Sequence, residues 1–167
     1  LYGSVTPIHY VHSSKVPVHK YYKISIKAPK LPEKLRDKAF SMSVNRKGKK
    51  FHYGGKYDSD GYITSEVRAF GNYGIGIDTV PPRIKPINVA NNKVVSGYKK
   101  LSFSVTDNLT GIAHYRGTID GKWVLFEYDA KKTALRYRNN LSKGKHFLKL
   151  EVSDERGNTR SYEATIV

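Results

Sequence analysis

The residues with the greatest catalytic potential in this sequence are its six histidines, because imidazole can act as an acid–base group or bind zinc. None begins a His-Glu-x-x-His motif, and none has a histidine two residues away or an aspartate four residues on. His9 and His12 are three residues apart, a spacing that places them on opposite faces of a strand. With His19 they form the one candidate zinc group. We predict instead that they are loop and strand residues, and that the chain has no metal site.

Nucleophilic catalysis requires a serine, threonine or cysteine that a neighbouring base activates. The chain has no cysteine, and it contains no Gly-x-Ser-x-Gly elbow. Glycines cluster in residues 71–76, but their spacing differs from that of a dinucleotide-binding loop and no helical pattern follows. We therefore predict no catalytic residue and no cofactor, and we expect that this chain is not an enzyme.

Three polar residues at strand ends merit a comparison with calcium ligands. Asp107, Asp154 and Asn158 could offer oxygen atoms to calcium if the strand ends near 107 and 154 lie close together. Aspartate and asparagine also accept hydrogen bonds from their own backbone at such corners. We predict that these side chains cap turns, so no metal ligand is assigned.

Thirteen tyrosines are interleaved with basic residues, which is the pattern most open to a binding role. Such rings can stack on sugars or bases, with cation–π contacts from lysine and arginine. The alternative is that they are buried or cover sheet edges, as is common in β-proteins, so the ligand-binding residues stay unknown. The candidate platforms are Tyr21-Tyr22-Lys23, residues 53–57, Tyr98-Lys99-Lys100 and Tyr137-Arg138.

The chain carries a net charge of +16, and the charge is evenly divided. Residues 1–80 contain 14 Lys and Arg against 6 Asp and Glu, and residues 81–167 contain 16 against 8, so each half carries +8. A field of this strength attracts polyanions such as acidic glycans, anionic lipids or nucleic acids. The competing interpretation is that lysine coats the surface for solubility. No ribonucleoprotein-type motif supports nucleic-acid binding.

Period-two alternation of apolar residues runs through the chain, and it predicts an all-β fold. Pro81-Pro82 interrupts the alternation near the middle of the chain, where a central strand cannot continue. We predict two tandem β-sandwich domains, over residues 1–80 and 81–167. About seven short strands in the second half are typical of a sandwich, and we expect Trp123 to lie in its core. No apolar stretch is long enough to span a membrane.

Two motifs resemble those of secreted bacterial proteins. Residues 143–158 read KGKHFLKLEVSDERGN and resemble the G-x-H-x-L-x-V-x-V-x-D-x-x-G-N corner between the last two strands of bacterial immunoglobulin-like domains. Residues 70–84 read FGNYGIGIDTVPPRI and resemble the junction that joins one β-domain to an immunoglobulin-like domain. With Tyr53-Gly54-Gly55 and residues 115–123, YRGTIDGKW, the region 15–167 is similar to the C-terminal half of lysostaphin-type zinc metallopeptidases of the Bacteroidetes kind.

The resemblance implies an accessory role rather than a catalytic one. The zinc ligands of that family lie in H-x-x-x-D and H-x-H motifs, and neither occurs here. The resemblance therefore implies a catalytic domain upstream of Leu1 in the same protein, peptidoglycan as the substrate of that protein, and a location in the cell envelope or outside the cell. We expect the two domains to position such a peptidase on peptidoglycan or other acidic envelope polymers. An adhesin or glycan-binding module of the cell surface is the alternative.

Overall fold

The computed structural model describes residues 3–167, which divide into two compact units between Thr79 and Val80. We call these units the N-terminal and C-terminal domains. The described residues are nearly all in strands and loops, so the all-β prediction is confirmed. The one helix that they contain is a four-residue turn, and no helix among them is long and apolar enough to cross a membrane.

The N-terminal domain contains two antiparallel sheets. One has four strands in the order β1-β6-β3-β4, and the other is the pair β2-β5. The elements are β1 (His9–Val11), β2 (Tyr22–Lys27), α1 (Glu33–Arg36), β3 (Ala39–Val44), β4 (Lys50–His52), β5 (Tyr62–Val67) and β6 (Gly71–Ile77).

The core of the N-terminal domain forms where apolar faces of the two sheets meet. The alternating inward positions of β2, β5 and β6 supply most of it, as the period-two pattern predicts. On the opposite face of β6, Gly76 is required because a Cβ atom there would lie 2.6 Å from Cζ of Phe40. The buried residues of this core include Ile26, Ile63, Val67, Tyr73 and Ile75.

The C-terminal domain is a sandwich of two four-stranded sheets, with the orders β11-β12-β8-β7 and β10-β9-β13-β14. In immunoglobulin nomenclature the strands from β7 to β14 are A, B, C, C′, D, E, F and G. The two sheets then have the orders D-E-B-A and C′-C-F-G, which is the topology expected of an immunoglobulin-like sandwich. The strands are β7 (Arg83–Pro86), β8 (Lys100–Thr106), β9 (Ile112–Ile119), β10 (Lys122–Val124), β11 (Phe126–Asp129), β12 (Ala134–Arg138), β13 (His146–Asp154) and β14 (Thr159–Ile166).

The core of the C-terminal domain lies between these sheets and follows the predicted alternation. β8 and β13 each contribute three residues that are no more than 1% exposed, and the outward positions between them are polar or charged in most cases. The inward residues are Leu101, Phe103 and Val105 on β8, and Leu148, Leu150 and Val152 on β13.

The prediction that Trp123 is a core residue is wrong, since 61% of its surface is exposed. β10 pairs Trp123 with Thr118, whereas the inward positions of β9 are Gly117 and Ile119. The tryptophan therefore lies on the outer face of its sheet. The core space in front of Gly117 is filled by Phe126 from the facing sheet instead.

Candidate functional site

The histidines considered for zinc lie on a strand and in the loop that follows it. His9 is an exposed residue of β1, and His12 and His19 are exposed residues beyond that strand. The ring of His12 contacts Phe70, with 4.9 Å between the ring centroids. Among residues 3–167, no cluster of three or more potential metal ligands includes a histidine.

The side chains considered for calcium cap turns of the C-terminal domain. Oδ2 of Asp107 accepts hydrogen bonds from the N–H groups of residues 109, 110 and 111, at 2.8–2.9 Å. Oδ1 of Asp154 accepts the N–H groups of Arg156 and Asn158, and Oδ2 accepts the side-chain amide of Asn158 at 2.7 Å. A carboxylate oxygen of Asp107 lies within 4.8 Å of one of Asp154. The turn-capping prediction is confirmed for Asp107 and Asp154, whereas the side chain of Asn158 donates to Asp154; that these residues bind no calcium stays a prediction.

The candidate tyrosine platforms are in part covered or buried. Arg68 lies 5.8 Å from the ring centre of Tyr21, and Lys93 lies 5.2 Å from that of Tyr98. Arg36 lies 5.5 Å from the ring centre of Tyr57. Tyr137 is only 8% exposed, and burial raises the pKa of its phenol. These rings therefore fit the interpretation that tyrosines are buried or covered better than they fit a stacking platform.

A cleft of about 610 Å³ lies in the N-terminal domain. It lies at the end of the four-stranded sheet, where β1 ends, β6 begins and β3 enters its turn. Its volume falls within the range of small-molecule sites. We call it the basic cleft, and the residues that give it its character are Tyr10, His12, Lys15, Arg46, Lys47, Tyr53, Phe70, Asn72 and Tyr73.

A capped hairpin turn positions two of the cations of the basic cleft. Residues 45–49 connect β3 to β4, and Oδ1 of Asn45 accepts the N–H groups of Lys47 at 3.0 Å and Lys49 at 2.9 Å. Gly48 supplies the positive φ of 77° that the turn requires. The turn therefore has a defined backbone, and it presents Arg46 and Lys47 as exposed side chains.

A second turn positions His12 and Lys15. His12 has a φ of 52°, a left-handed conformation that is uncommon outside glycine. The N–H of Ser13 donates to Nδ1 of His12 at 2.7 Å, and Oγ of Ser13 accepts the N–H of Lys15 at 3.3 Å. In the neutral ring the proton of His12 is therefore on Nε2, so His12 brings an N–H donor to the cleft.

Aromatic rings form much of the remaining wall. Tyr73 is buried, contacts Tyr53 with 5.7 Å between centroids, and donates its hydroxyl hydrogen bond to the carbonyl of Ala69. Burial raises the pKa of the Tyr73 phenol, and the neighbouring Tyr53 and Tyr22 raise it further, so this hydroxyl stays protonated. Tyr10 differs from these residues because 81% of its surface is exposed.

The electrostatic character of the basic cleft is uniform. None of the residues that line it is an aspartate or glutamate. Lys15, Arg46 and Lys47 form no ion pair with any residue in the range 3–167. Their charges are therefore free to attract an anion. Sequence reasoning did not find this site, because its residues come from three segments that are distant along the chain.

Comparisons with known proteins bear on the N-terminal domain. Residues 2–78 match the family model of the Zu5-like domain, so this domain is similar to a small domain family. A comparison with curated proteins finds no match for the chain. Neither result bears on the resemblance to lysostaphin-type metallopeptidases, which stays a prediction.

Proposed function

We propose that this chain is a non-catalytic accessory region of a cell-envelope or secreted bacterial protein, and that it positions a peptidoglycan metallopeptidase domain of the same protein on its substrate. The observation that carries this proposal is the basic cleft. A site with three unpaired cations and no acidic lining residue fits an acidic polymer. The junction and strand-corner motifs of residues 70–84 and 143–158 support the placement beside a peptidase.

The role requires weak, reversible contacts rather than tight binding. Peptidoglycan carries carboxylates on its stem peptides, and other envelope polymers carry phosphates. Exposed cations attract such groups over a distance that salt shortens, from about 10 Å at 0.1 M to about 3 Å at 1 M. The basic cleft would therefore hold the chain near its polymer while still allowing the neighbouring catalytic domain to move along it.

A free-standing adhesin or glycan-binding module is the second candidate, and exposed aromatic residues of the C-terminal domain favour it. Trp123 and Phe147 are 61% and 46% exposed. Trp123 pairs with Thr118, which pairs with Lys149, and Phe147 lies two residues from Lys149. Alternate residues share a face, so both rings lie on the outer face of the same sheet. Such rings can stack on sugars.

Retention of the chain on purified peptidoglycan sacculi, measured over a salt titration, separates these proposals. Binding through the basic cleft should fall steeply with added salt, whereas stacking on Trp123 should survive about 0.5 M salt. Immobilised duplex DNA serves as the polyanion control. If the attraction is only non-specific charge attraction, DNA should retain the chain as well as the sacculi do. Failure of the sacculi to retain the chain at low salt, or much tighter binding to DNA, would contradict the accessory role.

The gene that encodes the chain offers an independent test. An H-x-x-x-D motif followed by an H-x-H motif upstream of Leu1 is expected if a lysostaphin-type catalytic domain belongs to the same protein. A different upstream domain, with neither motif, would favour the adhesin.

A further inference from the structure

Tyr10 is distinctive among the tyrosines of the N-terminal domain. Within residues 3–79, it alone has no contact with another aromatic ring and no cation over its face. Tyr22, Tyr53 and Tyr73 pack against rings, and Tyr21, Tyr57 and Tyr62 lie beneath cations. The backbone of Tyr10 is nevertheless held in place, because β1 pairs it with Asn72 of β6. The ring itself is exposed and lines the basic cleft.

The cations of the same cleft supply a different kind of contact. Arg46 and Lys47 project from the capped turn after β3, and Lys15 projects from the turn after β1. Arginine forms paired hydrogen bonds to a carboxylate or a phosphate, and lysine attracts either group as a point charge. These residues are specific for negative charge, but they do not require that the anion be part of any particular molecule.

Polar groups of the same cleft add hydrogen-bonding capacity. The side chain of Asn72 lines the cleft and can both donate and accept hydrogen bonds. His12 contributes the donor on Nε2. The cleft thus combines an exposed aromatic face, an amide, an imidazole and cations that form no ion pair within residues 3–167. This combination matches a sugar ring with hydroxyl groups and an acidic substituent. A bare polyanion would use only the cations.

We propose that the basic cleft binds an acidic saccharide, with a sugar ring stacked on Tyr10 and its carboxylate or phosphate held by Arg46 and Lys47. This inference rests on the proposed function, and it adds the chemical class of the ligand and the roles of the residues. Stacking on Tyr10 gives preference for a sugar, and the cations give preference for the acidic form.

Binding of defined saccharides to the full chain tests the ligand class, with calorimetry as the measurement. Oligogalacturonate is the carboxylate probe, and its methyl ester is the matched neutral form. Dextran phosphate is the phosphate probe, with unmodified dextran as its neutral form, and inorganic polyphosphate is the anion without a sugar. We expect at least one acidic saccharide to bind about tenfold more tightly than its neutral form, which corresponds to ~1.4 kcal/mol.

Variants of Tyr10 test the stacking contact. Tyr10→Ala should weaken binding of the acidic saccharide about tenfold, a typical loss for one stacked ring, whereas Tyr10→Phe should retain it. Tyr21→Ala is the matched control, because Tyr21 is also exposed but lies beneath Arg68 and outside the cleft. It should have no effect. Unchanged circular dichroism would establish that each variant is folded.

The outcomes distinguish this inference from the proposed function. Equal binding of polyphosphate and acidic saccharide, unaffected by Tyr10→Ala, would overturn the saccharide assignment. So would the absence of binding to both acidic saccharides. Retention on sacculi could persist in either case, and the accessory role would then stand without this ligand. Saccharide binding that depends on Tyr10, combined with no retention on sacculi, would support the ligand class and contradict the proposed role.

Discussion

A Cβ atom on Gly117 of β9 would lie 2.1 Å from Cε2 of Phe126 on β11. The ring of Phe126 therefore fills the space between the two sheets of the C-terminal domain that a side chain at position 117 would need. Phe126 is 1% exposed and also contacts Phe103, with 5.9 Å between ring centroids. The absence of a side chain at Gly117 therefore allows a large ring from the facing sheet to reach the middle of the core.

Replacing Gly117 with alanine should destabilise the C-terminal domain. The added methyl group must displace a ring that is packed on all sides, and overpacking of this kind costs about 1–3 kcal/mol. Urea unfolding followed by circular dichroism measures the loss. Gly97→Ala is the control, since no atom lies within 4 Å of a Cβ at that position. Similar stability of the two variants would show that Phe126 does not fill this space.

The single tryptophan offers a direct optical test of the same arrangement. Because Trp123 is on the outer face of its sheet, its emission in the folded protein should resemble that of tryptophan in water and should be quenched readily by iodide. Unfolding should change the emission maximum little. A blue-shifted emission that iodide cannot quench would place Trp123 in the core and contradict the register of β10 with β9.

The error over Trp123 shows where sequence patterns stop being informative. Alternation predicts which residues share a face of a strand, and the buried residues of β8 and β13 follow it. It does not say which face is inward on a three-residue edge strand such as β10, where too few positions repeat. Two tertiary contacts determine which face of β10 is inward. Trp123 pairs with the outward residue Thr118, and Phe126 fills the core space beside Gly117.

The basic cleft could not be predicted for a related reason. Its two cationic turns follow β1 and β3, and β6 lies between those strands in the sheet. His9 pairs with Tyr73, so the cleft depends on contacts between residues that are far apart in sequence. The sequence does contain one local signal, Asn45-Arg46-Lys47-Gly48, in which asparagine and glycine favour a turn that exposes two cations.

His146 and Asp120 form an ion pair whose effect should depend on pH. Nδ1–H of His146 donates to Oδ2 of Asp120 at 2.7 Å, and the carbonyl of Ser142 lies 3.1 Å from Nε2. These hydrogen bonds raise the pKa of His146 above its usual value of 6.5. The hydrogen bond with His146, aided by the N–H of Phe147, lowers the pKa of Asp120 below 3.8.

The sign of the pH dependence follows from these directions. The contribution of His146 is fully present below pH 6.5 and is lost as the pH rises through its raised pKa. That of Asp120 is present above pH 3.8 and is lost as the pH falls through its lowered pKa. The ion pair therefore stabilises the C-terminal domain most between pH 3.8 and pH 6.5. Its contribution is about 0.5 kcal/mol, because Asp120 is half exposed and water screens the pair.

The variant Asp120→Asn tests this coupling, since asparagine also tolerates the positive φ of this turn. The pKa of His146, followed by NMR, should fall toward its usual value, and the stability difference from the native chain should be larger at pH 5.5 than at pH 8.5. An unchanged pKa of His146 would contradict the ion pair.

The buried carboxylate of Asp154 should contribute more to stability than an exposed turn residue. Asp154 is 2% exposed and accepts three hydrogen bonds, two of them from Asn158. Asp154→Ala should cost about 1–3 kcal/mol, because the donors lose a buried acceptor. Asp129→Ala, in another turn of the same domain, is the control and should cost less. Urea unfolding of both variants gives the comparison, and equal losses would contradict the importance of burial.

Retention on peptidoglycan sacculi at low salt, compared between two charge-matched variants, tests most directly whether the basic cleft is the binding site. Arg46→Gln combined with Lys47→Gln removes two cations from the cleft. Lys30→Gln combined with Lys34→Gln removes two exposed cations of the same domain that do not line it. The first variant should bind about 3- to 10-fold more weakly than the native chain, as expected for two exposed ionic contacts, and the second should bind almost normally. Equal loss in both variants would show that attraction depends on net charge alone and would contradict a specific role for the cleft.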